Sequence, residues 1–173
     1  MTTLRLLIRD PLISDLKIIH QLLMLPETVE YNPSGYPESE LATGALLERW
    51  VSQISLEKRT CYFYVIETLK DGAFVGIISL ERGKEGYLNA EIWFKLHTHS
   101  WNKGYATEAL KAMIHFGFKD LGLHRIEAGC STLNIASSRV MENAGMTKEG
   151  VKRKNLPLKG GWHDSFQFAV LSK

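Results

Sequence analysis

The segment with the most chemical content runs from Trp93 to Ala109: Trp93-Phe94-Lys95-Leu96-His97-Thr98-His99-Ser100-Trp101-Asn102-Lys103-Gly104-Tyr105-Ala106-Thr107-Glu108-Ala109. An apolar, strand-like stretch gives way to a polar loop, and the loop opens into a long helix at Gly104. Amides in the first turn of a helix have no acceptor inside it and point outward. The helix dipole adds partial positive charge at that end, and the two effects together suit phosphate. Gly104 has no Cβ, so the backbone can approach a ligand closely; Ala106 keeps a second position small, and Lys103 adds a point charge. Neither G-x-x-x-x-G-K-[ST] nor G-x-G-x-x-G occurs in the chain, which disfavours a P-loop or a dinucleotide fold. Alone, the loop is equally readable as a plain helix start.

Other groups with chemical potential flank this loop. Tyr87, Asn89, Glu91 and Trp93 alternate with Leu88, Ala90, Ile92 and Phe94, so Glu91 falls on the strand face opposite the apolar set. A partly buried carboxylate there could have a raised pKa suited to taking a proton; a surface or ion-paired glutamate is the plain alternative. Asn134 heads a short helix that carries Ser137 and Ser138 one turn on, and Asn is also a good N-cap. His97 and His99 lack further ligands at recognisable spacing, so no metal is expected. Cys61 and Cys130 show no metal-ligand spacing and read as inert buried thiols, which fits a reducing compartment. Lys152-Arg153-Lys154 could meet an acidic surface or be a solvated turn, and His163 beside Asp164 is more often structural.

The elements that position these groups follow from pattern. Leu4 to Arg9 reads as a strand, broken by Asp10-Pro11. Ser14 is a candidate N-cap for a helix with Leu16, Ile19, Leu22 and Leu23 at helical spacing, ended by Pro26. After the loop Tyr31–Pro37, a helix is expected from Glu38 to Leu56, with Leu41, Ala45, Trp50, Val51 and Ile54 inward. Thr60–Thr68, Ala73–Leu80 and Tyr87–Leu96 form an antiparallel meander. The long helix spans Gly104 to Leu121, with Gly122 as a left-handed cap. A strand at His124–Gly129, a short helix at Asn134–Asn143 and strands at Met146–Lys152 and Trp162–Leu171 complete the chain. Strand–helix–strand around Gly104 implies one parallel pair. The fold class is therefore mixed α/β (α+β), a central mixed sheet with helices on both faces.

Bulk composition narrows the function. A chain of 173 residues suits one domain, residues 1–173. It is 45% hydrophobic and 23% charged, with 21 basic against 19 acidic residues and a net charge of +2. That balance makes nucleic-acid binding an unfavoured reading. No apolar stretch reaches membrane-spanning length, and Arg9 and Asp10 interrupt the only N-terminal apolar run. The expectation is a cytoplasmic protein with no membrane association.

Strand, loop and helix resemble motif A of the GNAT acetyltransferases, whose loop reads [QR]-x-x-G-x-[GA]. Here Trp101-Asn102-Lys103-Gly104-Tyr105-Ala106 matches at Gly104 and Ala106 and departs at Trp101. An aromatic at that position is familiar in the branch resembling ribosomal-protein N-terminal (alanine/serine) acetyltransferases, where W-x-K-G-Y-A-T-E-A is close to a signature. Asn134-Ile135-Ala136-Ser137-Ser138-Arg139-Val140-Met141-Glu142-Asn143-Ala144-Gly145-Met146 is a second marker. Gly150-Val151-Lys152-Arg153, followed by Trp162-His163-Asp164, is a third.

The resemblance implies a GNAT fold: about seven mostly antiparallel strands with one parallel, splayed pair. It implies acetyl-CoA as donor, coenzyme A as product, and an amine as acceptor. Phe94, Lys95 and Leu96 would pair through their backbone with the pantetheine arm, and Trp101, Asn102, Lys103, Gly104, Tyr105, Ala106 and Thr107 would hold the pyrophosphate. Asn134 and Ser137 would lie near the pantetheine end. Glu91 would be the base. Met141 stands where many members have a proton-donating Tyr, so Ser138, ahead of Ser137, is the candidate acid. Trp93 stands where the branch usually has Gly, which implies a reshaped acceptor pocket or simple packing. The loop Tyr31–Pro37 and the segment Leu156–Trp162 would flank the acceptor's entrance. A protein N-terminus is the favoured acceptor; a polyamine, amino sugar or drug-like amine, or a non-catalytic acyl-CoA sensor, remain alternatives, and a homodimer or higher homo-oligomer stays open.

Overall fold

A computed structural model describes residues 1–173. Seven strands form one sheet: β1 (Leu6–Arg9), β2 (Cys61–Thr68), β3 (Phe74–Arg82), β4 (Asn89–Leu96), β5 (Arg125–Ser131), β6 (Thr147–Leu158) and β7 (Gly161–Leu171). Their order is β1-β2-β3-β4-β5-β7-β6. Every neighbouring pair is antiparallel except β4–β5. The crossover between those two strands contains the long helix, as a parallel pair requires.

The helices are α1 (Leu16–Leu23), α2 (Pro26–Val29), α3 (Glu40–Ser52), α4 (Tyr105–Lys119) and α5 (Ile135–Asn143). On one face of the sheet α4 and α5 bury Leu110, Met113 and Met141 against Leu6, Ile66, Ile78, Ile92 and Ile126. On the other, Ile19 and Leu22 of α1 and Leu47 of α3 meet Phe63, Val65 and Ile77. β3 lies between both layers and is buried without a break from Phe74 to Leu80. β4 alternates as the pattern predicts: Ala90, Ile92, Phe94 and Leu96 face α4, and Trp93 faces the second core.

Several details differ from the sequence reading. Ser14 caps nothing; it sits inside a single 3-10 turn, Ile13–Asp15. The buried Asp15 instead accepts the Leu12 amide (2.7 Å) and forms a two-bond pair with Arg9 (2.8 Å each), which also reaches Glu67 (2.6 Å). A bidentate, partly buried pair of this kind fixes the entry to α1 more firmly than a hydroxyl cap. Ser39 caps α3 by accepting the Ala42 amide at 3.1 Å, and Thr43 and Leu47 set its inward phase. Leu41, Ala45 and Ile54 are consequently exposed, while Trp50 stacks on Phe63 at 3.8 Å. Pro26 ends α1 but also opens α2, where its missing amide costs nothing. β6 and β7 extend into a long hairpin, so Leu156–Trp162 forms its arms and turn.

Close packing of α4 on the sheet depends on Gly117. A Cβ there would lie 2.6 Å from Ile126 Cδ1 and 3.2 Å from Leu80 Cδ1. Overpacking of a filled core costs about 1–3 kcal/mol. Gly117→Val should therefore lower stability by that amount in chemical denaturation, despite the gain in helix propensity from losing a glycine.

Candidate active site

The chemistry gathers where β4 leaves β5. The parallel pairing covers only Asn89 with Arg125, Ala90 with Ile126 and Glu91 with Glu127. Beyond Glu91, β4 keeps its bonds to β3 while β5 turns to β7. The His97 amide donates to Val75 O on the β3 side (2.9 Å), and Leu88 O accepts from His124 and Arg125 on the β5 side. Backbone direction alternates along a strand, so Phe94 and Leu96 present their amides to the gap. Lys95, expected to act with them, occupies the alternate position and turns its backbone to β3. An extended arm with amide groups, such as pantetheine, fits this open edge as an added strand would.

Gly76 supports the opening. A Cβ at this residue would lie 2.2 Å from Lys95 O and 2.7 Å from Leu96 Cα. Only glycine allows β3 to press that closely against the end of β4.

The loop beyond β4 presents a row of free donors. None of the amides of Asn102, Lys103, Gly104, Tyr105, Ala106 and Thr107 donates to a protein carbonyl. Gly104 takes a left-handed conformation (φ 77) as the N-cap of α4, and Asn102 is also left-handed (φ 58). The Trp101 indole donates to Leu96 O (2.9 Å) and so ties the loop to the last strand residue. This arrangement fits a pyrophosphate: several unpaired amides, a positive helix end and no side chain at the closest point.

A latch from the N-terminus, invisible in the motif, sets the loop's shape. Arg5 donates to Lys103 O (3.0 Å) and to Glu108 Oε2 (2.7 Å), and its guanidinium lies 4.8 Å from the centre of the Tyr105 ring. Thr3 Oγ1 and the Arg5 amide donate to Glu108 Oε1 at 2.6 and 2.9 Å. Burial would raise the Glu108 carboxyl, but these bonds outweigh it and hold it below its ordinary value. Arg5 thus offsets the negative charge of Glu108 in the first turn of α4. A carboxylate in the first turn of a helix that binds an anion is the sequence signal for such a partner.

The remaining candidates lie on α5, on β4 and the turn after it, and on β6. Asn134 caps α5 by accepting the Ser137 amide at 3.0 Å. Ser138 follows one turn on and is buried, whereas Met141 packs into the core at 1% exposure. Glu91 is exposed on the face of β4 turned from α4 and lies directly across from Glu81 of β3. The Trp93 indole donates to Glu81 Oε1 (2.8 Å) and packs at a tilt against the stacked Trp50–Phe63 pair, at 6.5 and 6.0 Å. His97 and His99 stack at 4.0 Å, and His99 Nε2 bonds Phe74 O (3.0 Å); no group of three or more His, Cys, Asp or Glu converges to hold a metal. Lys152 and Arg153 are exposed on β6, and the Lys154 amide donates to Asp164 Oδ1 (2.8 Å) in a bulged stretch.

Residues 5–147 match the family model described as an acetyltransferase (GNAT) domain. The chain belongs to the GNAT acetyltransferases. It is similar to the Bacillus subtilis (strain 168) protein named "Probable N-acetyltransferase YjcK", 40% identical over 121 residues, 69% of this chain and 67% of that one. A GNAT-family acetyltransferase from Bacillus anthracis has a similar solved structure, with a TM-score of 0.86 and 30% identity over 99% of this chain and 97% of that one. Two more distant structures share the fold. One is spermidine N-acetyltransferase from Vibrio cholerae in complex with CoA and spermine (TM-score 0.84, 21% identity, 96% and 95% covered). The other is ribosomal-protein-S5-alanine acetyltransferase from Vibrio fischeri (TM-score 0.85, 20% identity, 99% and 95% covered). The GNAT enzyme described here is an acetyl-CoA-dependent N-acyltransferase, and the parted strands and free amides are the features that fit that donor. No helix of this acetyltransferase is long and apolar enough to cross a membrane.

At the site Lys95 combines partial burial with a charge that has no ion-pair partner. Lys95 alternates with Trp93 and His97 on the face away from α4, and burial alone pushes its ammonium down to about 8. In an unfolded chain the group titrates near 10.4, so between those values the unfolded state binds more protons than the folded one. Stability then rises with pH across that window. The unbranched, uncharged Lys95→Met should be more stable than the wild type at pH 7, by on the order of 2–3 kcal/mol. The difference should shrink as pH rises from about 8 towards 10, as read from urea midpoints at a series of pH values.

Proposed function

We propose that the whole chain acts as one acetyltransferase domain, moving the acetyl group to the N-terminal α-amine of a protein or peptide by direct attack. The observation that carries the donor half is the row of free amides from Asn102 to Thr107 at the open end of the β4–β5 pair. For the acceptor half, the support is the signature around Trp101 and the structural likeness to an enzyme named for a ribosomal protein. The two unpaired thiols, Cys61 and Cys130, fit a reducing, cytoplasmic setting.

Bound acetyl-CoA supplies a thioester carbonyl. The loop amides, with Lys103, hold its phosphates, while Phe94 and Leu96 bind the arm through their backbone, close to Asn134 and Ser137. An α-amine is largely protonated at neutral pH, with a reference pKa of about 7.7–8.0. Glu91 takes that proton directly or through water, and its exposed position on the face away from α4 allows either route. Backbone amides along the open edge of β4 meet the negative charge that develops on the carbonyl oxygen. Ser138 gives a proton to the departing sulfur. No covalent enzyme intermediate is required, and burial raises both cysteines, leaving them poor nucleophiles.

A small polyamine is the second reading. The pair Glu81 and Glu91, directly opposite on adjacent strands, would suit a polycation, and one structural neighbour is named for spermidine.

Two variants test the scheme. Gly104→Asp keeps a residue type that tolerates left-handed backbone better than most, so the fold should survive. Its carboxylate would face the phosphates, and acetyl-CoA affinity measured by calorimetry should fall at least about a hundredfold; unchanged affinity would remove the loop as the pyrophosphate site. Glu91→Gln should lower kcat at neutral pH by about 10²–10⁴-fold, the usual worth of a general base, with acetyl-CoA affinity intact. A rate that matches the wild type across pH would exclude Glu91 as the base.

A further inference from the structure

On the face of β4 turned from the donor site, charge is laid out along the strand. Glu91 stands at one end, with Glu81 beside it across the sheet. Trp93 follows, packed against Trp50 and Phe63. Lys95 comes next, directly across from the buried Ile77 of the second core. His97 lies beyond it, and Glu27 of α2 is the acidic group whose charge His97 feels.

Lys95 is the anomaly in this row. Its side chain is partly buried yet forms no ion pair, whereas the partly buried Arg9 and Arg59 are both paired. Burying an ammonium without a partner is unfavourable, and buried charges are usually paired. The cost falls away if the partner arrives with the substrate. The position suits that role, because the side chain projects from the same splayed stretch whose backbone edge receives the donor, but on the opposite face.

We propose that the Lys95 ammonium receives a carboxylate of the acceptor, which makes the preferred acceptor an acidic peptide N-terminus and disfavours a polycation. This rests on the peptide reading above and deepens it. Glu91 and Lys95 are four strand residues apart, about 13 Å along β4. That length matches about four extended residues, so an α-amine at Glu91 places the anionic side chain at about the fourth residue. A single amino acid is too short to span both ends. A polyamine would set an ammonium against Lys95, and the like charges would repel in a poorly solvated place.

The test measures kcat/KM at saturating acetyl-CoA for tetrapeptide amides that carry Asp, Asn or Lys as their fourth residue. Free glutamate, its amide glutamine and spermidine are run beside them. Wild type, Lys95→Met and Lys95→Arg are compared, with folding checked by circular dichroism. The wild type should prefer the Asp peptide over the Asn peptide by about tenfold or more, the scale of a hydrogen bond to a charged group. Lys95→Met should bring that ratio close to one, and Lys95→Arg should retain most of it. A residue with a purely structural role would change all peptides alike and leave the ratio unmoved. A wild-type ratio near one, or a ratio that survives Lys95→Met, overturns the proposal. Should no peptide react while glutamate outperforms glutamine in a Lys95-dependent way, the peptide reading and the spacing drawn from Glu91 to Lys95 both fail, and only an anion-receiving role for Lys95 is left. Reaction with spermidine alone overturns both.

Discussion

The parting of β4 from β5 is the constraint on which the rest of this structure depends. Inside a protein nearly every buried backbone group finds a partner, yet here a strand in the middle of a sheet leaves its neighbour after three paired residues. Several features exist to sustain that opening. Gly76 lets β3 hold the end of β4 so tightly that β4 need not follow β5. The Trp101 indole satisfies the last strand carbonyl that water or a ligand would otherwise have to reach. Gly104, in its left-handed conformation, turns the chain so that α4 begins with its amides outward. Arg5 then holds the loop from behind, by a carbonyl, an aromatic ring and a carboxylate together. The free amides at the loop and the free edge of the strand are one continuous polar surface, and a ligand that is anionic at one end and amide-bearing in its arm satisfies both.

Much of this was legible in the sequence because local rules govern it. Period-two alternation along β4 separated Glu91 and Trp93 from the apolar face, and the strand–loop–helix around Gly104 required a parallel pair. Asn134 and Gly122 marked the start of one helix and the end of another through their own backbone chemistry. What stayed hidden depends on contacts distant in sequence. Arg5 and Glu108 are 103 residues apart, and nothing local says that they meet. Asp15 displaced Ser14 as the capping group only because Arg9 and Glu67 converge on the same place. The phase of α3 was misread for a similar reason: Leu41 is apolar, but Ser39 fixes where the helix starts and Thr43 and Leu47 then face inward. The solitary charge of Lys95 could not be read from the chain at all, since the absence of a partner is a property of the whole face.

In the proposed scheme β4 serves two sites with different parts of the same residues: its main-chain edge meets the donor, and its outward side chains Glu91, Trp93 and Lys95 meet the acceptor. Main-chain recognition is largely indifferent to side-chain identity, so the donor site can persist through extensive substitution provided that Gly76, Gly104 and the strand register remain. Side-chain recognition has no such protection. One substitution on the outward face changes size, charge or reach where the amine must sit, without disturbing the edge that holds the donor. Structures only about one-fifth identical to this chain keep its fold. In this chain the outward face holds a bulky indole and an ammonium with no ion-pair partner, so on the proposed reading the choice of acceptor lies with Trp93 and Lys95 and not with the loop before α4.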